Sequence, residues 1–288
     1  MTRRALIVAL LATALLAPAC GNGNGGADAA AAAAPGAPTT STSPTTTTAP
    51  PPPGGRRPTA DEPLRVLMAG DSLMADISLA IASTLQDGGQ AVARLVAAPS
   101  IPRDDTTRAL WHQQLDQYDP EVIVIMIGVW EGMAEDALST LPLGSPAWLR
   151  TYRHRNLDPY LDLLTSEGAE VVWVGMPPAQ DPERQLEFSS LNRAVRQAAQ
   201  ASPDLIYIPG DTILANPDGS WADILPGPHG TPQRVRRIDT THLCADGASR
   251  LARPVLNHLG RQWGIPLADD WPNRNWRWVF PAADCPPV

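Results

Sequence analysis

The chain of 288 residues contains no lysine; all 22 of its basic residues are arginine. Chemistry that needs a lysine amine, whether a Schiff base or the phosphate-gripping lysine of a P-loop, is therefore excluded. Basic charge is scarce as well. Thirty acidic residues leave a formal net charge of -8, whereas a nucleic-acid partner would require a basic stripe to neutralise phosphates. Long apolar runs are missing too. The N-terminal run from Ala5 to Ala17, interrupted only by Thr13, is shorter than the roughly 20 residues that cross a bilayer as a helix. Between residues 21 and 63 there is not one Val, Ile, Leu, Met, Phe, Trp or Tyr. Such a segment has nothing with which to form a core. The whole chain is nevertheless 43% hydrophobic, so the remainder is expected to be globular.

Arg3 and Arg4 ahead of the apolar run have the form of a secretory signal, which predicts a signal peptide over 1–19 and an exported chain. Leu16-Ala17-Pro18-Ala19-Cys20 resembles a bacterial lipobox, while Ala17-Pro18-Ala19 also fits ordinary signal cleavage. Cysteine parity favours lipidation. Cys20, Cys244 and Cys285 are the only cysteines, and acylating Cys20 leaves an even pair in an oxidising compartment. A Cys244–Cys285 disulfide is expected, and a membrane anchor at Cys20. Residues 20–63, rich in Ala, Thr and Pro, are expected to be a disordered tether, with a span on the order of 35–40 Å.

From Leu64 onward, short apolar runs alternate with helical spacing. Strands are predicted at 64–69, 91–97, 121–127, 170–176 and 205–208. Helices are predicted at 77–85, around Leu110 to Leu115, across 146–167 and 184–201, and over 245–263. Continuous apolar strands between helices imply a parallel sheet covered on both faces, a three-layer α/β/α sandwich of five strands. The expected domain covers 64–265, with 266–288 as a tail packed on it. Ligands of such folds bind at the carboxyl ends of the strands.

Gly70-Asp71-Ser72-Leu73 follows the first strand. A serine there can expose its hydroxyl, yet it needs a base to become a nucleophile. Capping of the next helix by Asp71 or Ser72 explains the same tetrapeptide equally well. Asp239-Thr240-Thr241-His242 stands before the last helix. Aspartate three residues ahead of histidine lets one loop supply both a base and the group that orients it.

With both motifs present, the chain resembles the SGNH/GDSL hydrolase family over roughly Leu64 to Trp263. The resemblance implies a flavodoxin-like fold with Ser72 as nucleophile, His242 as base and Asp239 orienting it. It also implies ester hydrolysis or acyl transfer through an acyl-serine, with no cofactor. The middle of the chain departs from the family pattern. Pro99-Ser100-Ile101 stands where a glycine is usual, and Gly128-Val129-Trp130-Glu131 where G-x-N-D is usual. Ser100, Gly128 and Trp130 are the candidates for the oxyanion or acyl pocket, and Glu131 is expected to cap a turn. The G-x-W-E block and the H-L-C-x-x-G-A run from His242 to Ala248 resemble a subgroup associated with membrane acyltransferases that O-acylate bacterial surface polysaccharides. The resemblance thus implies an acylated cell-envelope carbohydrate as substrate and a membrane acyltransferase as partner. A degenerate domain that binds such a polymer without turning it over is the alternative, favoured by the missing asparagine.

Other features have plainer readings. Trp173 is expected in the core, and Arg234, Arg236 and Arg237 on a solvated face. Trp271, Trp276 and Trp278 are expected to pin the tail. His112, His154, His229 and His258 lack metal-ligand spacing, so no metal site is expected. A monomer is expected.

Overall fold

The computed structural model describes residues 56–131 and 138–288. The expected signal peptide, Cys20 and the tether as far as residue 55 lie outside the described residues. Residues 56–63, expected to be tether, lie on the domain. Arg56 pairs with Glu121 through bonds of 2.8 and 2.5 Å and donates to the Glu62 carbonyl. A polar segment needs no apolar side chains to be held when an arginine fork finds a carboxylate.

Five parallel strands form the central sheet: β1 (Leu64–Gly70), β2 (Ala91–Ala97), β3 (Val122–Met126), β4 (Glu170–Val174) and β5 (Leu205–Ile208). Their order is β2-β1-β3-β4-β5. Every residue of β3 and β4 is buried, so both faces of the sheet centre are covered, as their unbroken apolar sequences require. The helices doing so are α1 (Ser72–Asp87), α2 (Asp105–Tyr118), α3 (Pro146–Tyr152), α4 (Asp158–Thr165), α5 (Pro182–Ala199), the single turn α6 (Gly210–Ile213) and α7 (Ala245–Trp263). The α/β class and the five parallel strands agree with the sequence pattern. Trp173 is fully buried.

Two local features differ from expectation. The helix predicted across 146–167 is broken by a π turn at Arg153–Leu157. Pro159 near the start of α4 lacks the N–H that a continuous α-helix would use there. An antiparallel ribbon, β6 (Ile224–Pro226) with β7 (Pro232–Arg234), also stands where no element was expected. It is too short and proline-rich to show a period.

One glycine decides how the first strand reaches the site. A Cβ on Gly70 would lie 2.0 Å from the Met126 carbonyl oxygen and 2.5 Å from Met74 Cβ. Only glycine lets the ends of β1 and β3 and the first turn of α1 meet so closely.

Candidate active site

Asp71 is the N-cap of α1, its Oδ1 accepting from Leu73 N–H at 2.9 Å. Its other oxygen reaches across the sheet edge and accepts from the N–H groups of Gly128 and Val129 at 2.9 and 2.8 Å. Capping and catalysis therefore do not compete for one residue: Asp71 caps, and Ser72 is left at the first helical position. Burial raises the Asp71 carboxyl above its ordinary range, against the opposing pull of these backbone donors.

Ser72 and His242 are 170 residues apart in sequence, yet Ser72 Oγ lies 2.8 Å from His242 Nε2. On the far side of the ring, Nδ1 lies 2.7 Å from Asp239 Oδ2. Asp239 Oδ1 also accepts from the N–H groups of Thr241 and His242 at 3.0 and 2.9 Å, which shapes the loop before α7. Thr240 sits in the left-handed region, with φ 66°. Burial acts to raise the Asp239 carboxyl, but the bonds from the His242 side chain and the loop N–H groups outweigh it and hold it below the ordinary range. A hydroxyl, an imidazole and an anionic carboxylate in one line can move a proton from Ser72 while keeping the ring in a single tautomer.

The arginine run is not a solvated face. Arg236 is 2% exposed and donates to the carbonyls of Thr241 and Pro178 at 2.7 and 2.8 Å. Desolvation lowers its pKa to about 10, opposed by Asp239 and Asp76. Arg237 pairs with Asp76 at 2.5 Å, and Arg234 pairs with Asp223. Arg236 and Arg237 brace the loop that carries His242, while Arg234 donates to the Pro286 carbonyl of the tail.

The pocket candidates fare unevenly. Gly128 is not a free donor, because Asp71 occupies its N–H. Ser100 lies on the loop after β2, at the wall of a cavity of about 400 Å³ shared with Ile101, Arg103, Leu110 and Trp111. Trp130 is 50% exposed and so does not face the core. Among the described residues no hydrogen bond joins Ser100 or Trp130 to the triad. Glu131, expected to cap a turn, caps none among the described residues. It is buried and accepts from Ile101 N–H, Arg103 Nη2 and Tyr152 Oη at 3.0, 2.7 and 2.9 Å, tying the loop after β2 to the loop after β3.

Cys244 and Cys285 form a disulfide with Cα atoms 5.7 Å apart. Trp271 and Trp276 are buried in the tail, and Trp276 Nε1 donates to the Trp271 carbonyl at 2.9 Å. Trp278, expected to pack with them, is 87% exposed. Successive residues of a short 3-10 turn cannot all face inward, and Trp276 takes the inward place. Phe280 takes a position that no pattern signalled, 5.6 Å beneath the Arg237 guanidinium.

Residues 65–258 match the family described as Protein of unknown function (DUF459). The chain belongs to the DUF459 family. No curated protein matches it. Among solved structures, this DUF459 chain is similar to a putative acylhydrolase from Bacteroides fragilis, at 11% identity and a TM-score of 0.47, over 72% of this chain and 91% of that one. It is also similar to a GDSL-like lipase from Bacteroides thetaiotaomicron, at 12% identity and a TM-score of 0.44, over 72% and 92%. A catalytic mutant of an acetylxylan esterase from Geobacillus stearothermophilus is similar at 14% identity and a TM-score of 0.42, over 69% and 94%.

Proposed function

We propose that this DUF459 protein is an SGNH-type serine esterase or O-acyltransferase working through an acyl-serine. The observation that carries the reading is the line from Ser72 Oγ through the His242 ring to Asp239, with contacts of 2.8 and 2.7 Å. As Ser72 Oγ bonds to the ester carbonyl carbon, its proton passes to His242 Nε2 and negative charge moves to the carbonyl oxygen. The first N–H groups of α1 have no intrahelical partner, and in this reading that of Ser72 receives this charge. His242 then returns the proton to the leaving alkoxide, and the acyl group stays on Ser72 until water or a sugar hydroxyl accepts it.

The finer reading is an exported protein, lipid-anchored at Cys20, acting on acyl esters of a cell-envelope glycan beside a membrane acyltransferase. The signal-like N-terminus, the lipobox-like cysteine and the G-x-W-E block support it.

A second reading has one observation in its favour. With the Gly128 N–H taken by Asp71 and no asparagine after β3, the oxyanion donors are depleted, which suits a domain that binds an acylated polymer without turnover. Fluorophosphonate labelling separates the two. An esterase labels at Ser72, loses the label in Ser72→Ala, and cleaves a short-chain acyl ester only when Ser72 is present. A folded wild-type protein that stays unlabelled overturns the esterase reading and leaves the binding one.

A further inference from the structure

Asp76 lies one helical turn beyond Ser72 on α1, and its carboxylate grips both legs of the loop that carries His242. Oδ2 accepts from Leu243 N–H at 2.9 Å, and Oδ1 accepts from Arg237 Nη2 at 2.5 Å. Arg237 binds the other leg in turn. Its Nε donates to the Leu243 carbonyl at 3.0 Å and its backbone N–H to the His242 carbonyl at 2.8 Å. Among the described residues, Asp76 makes every hydrogen bond from this loop to α1 apart from the Ser72–His242 contact itself.

The packing of α1 itself does not call for an acid here. Its buried neighbours on the helix are Leu73, Met74, Ile77, Ser78 and Ala80, and a carboxylate among these mostly apolar residues loses its hydration. Burial accordingly raises the Asp76 carboxyl, opposed first by the Leu243 N–H and then by the charges of Arg237 and His242. A methionine or leucine would avoid that cost but leave the Leu243 N–H and the Arg237 guanidinium without their acceptor. What an apolar side chain does not do is hold a loop at a set distance from the nucleophile.

We propose that Asp76 is a positioning residue, which sets the Ser72–His242 distance and acts as a second anion favouring the imidazolium formed when Ser72 attacks. The inference rests on the reading of Ser72 and His242 as nucleophile and base. The imidazole interacts with Asp239 on its own loop and with Asp76 from α1, and the other charged side chains tied to this loop are Arg236 and Arg237 on the incoming leg.

The test is the rate of Ser72 acylation by a fluorophosphonate, followed across pH in the full chain and in two variants. Asp76→Asn removes an anion beside the ring and leaves Arg237 unopposed. Acylation slows, by about 100-fold if the base shifts by about 1 Å, and the acid limb of the profile moves to lower pH. Arg237→Gln removes a cation, so acylation slows while the acid limb moves to higher pH. Shifts in opposite directions are the signature of charges acting on the base. Variants that only lower thermal stability, with rate and limb unchanged, overturn the proposal. If neither variant folds, Asp76→Glu decides: it keeps the charge and lengthens the reach, so it acylates more slowly at an unmoved limb, and a wild-type rate overturns the inference. A wild-type protein that does not label at all refutes the catalytic reading instead.

Discussion

Asp71 Oδ2 accepts the backbone N–H of Gly128 at 2.9 Å, joining the turn that presents Ser72 to the loop after β3. The two segments are 57 residues apart in sequence, and this carboxylate holds them in register while its other oxygen caps α1. Asparagine is nearly isosteric but has one carbonyl oxygen instead of two. Asp71→Asn is expected to leave buried N–H groups unsatisfied and to cost about 1–3 kcal/mol in denaturant unfolding, with slower labelling of Ser72. Unchanged stability would show that the amide finds other partners.

Cys244 is two residues past His242, and its bond to Cys285 closes a loop of 41 residues. Removing that cross-link by Cys285→Ser is expected to cost about 4 kcal/mol on the chain-entropy model. The tail then loosens beneath Arg237, so ester turnover falls as well. Denaturant midpoints and initial rates of the two proteins check both effects, and an unaltered rate would separate the tail from the catalytic loop.

Asp239→Asn should leave His242 in place but lose the tautomer that Ser72 needs, with turnover reduced by about 10⁴-fold in comparable triads. The native carboxyl is held below its ordinary range. Its contribution to stability is therefore fully present above the unfolded value of about 3.9 and is lost as pH falls through the depressed folded value. The stability gap between wild type and Asp239→Asn should be widest near neutrality and close below that range. Unfolding curves at the two pH extremes test the sign.

Trp130, half exposed on the loop after β3, has two candidate roles that two substitutions separate. Trp130→Phe keeps an aromatic wall and removes the indole N–H. A fall in kcat at unchanged KM identifies a transition-state donor. An unchanged kcat, with KM raised only in Trp130→Ala, identifies a wall of the acyl pocket.

Cys20→Ser is expected to release the protein from membranes into the soluble exported fraction, as read by fractionation. Persistent membrane association would remove the lipid anchor from the proposal.

The sheet was legible because its strands are buried on both faces. EVIVIMI and EVVWVGM, with hardly a polar interruption, have few other places to go. The Ser72, Asp239 and His242 positions were legible because each sits in a short motif directly beside a regular element. The β6–β7 ribbon was not, since three-residue strands containing proline carry no period. Asp76 was missed although its signal was there: it is the one acid within the apolar stretch of α1.

The amino-acid order by itself determined the alternation of strands and helices, the partners of the disulfide and the candidate serine, aspartate and histidine, since these depend on local periodicity, cysteine parity and short motifs. Only the tertiary structure decided how charge is used. It turned Arg236 and Arg237 from a solvated face into the brace of the His242 loop, took the Gly128 N–H away from any oxyanion role, made Glu131 a clasp between two loops, and gave Asp76 both legs of the base-bearing loop to hold. A charged side chain has no period that reveals its partner. Its role follows from which opposite charge and which backbone donors the fold brings within about 3 Å, after burial has removed the water that would otherwise satisfy it.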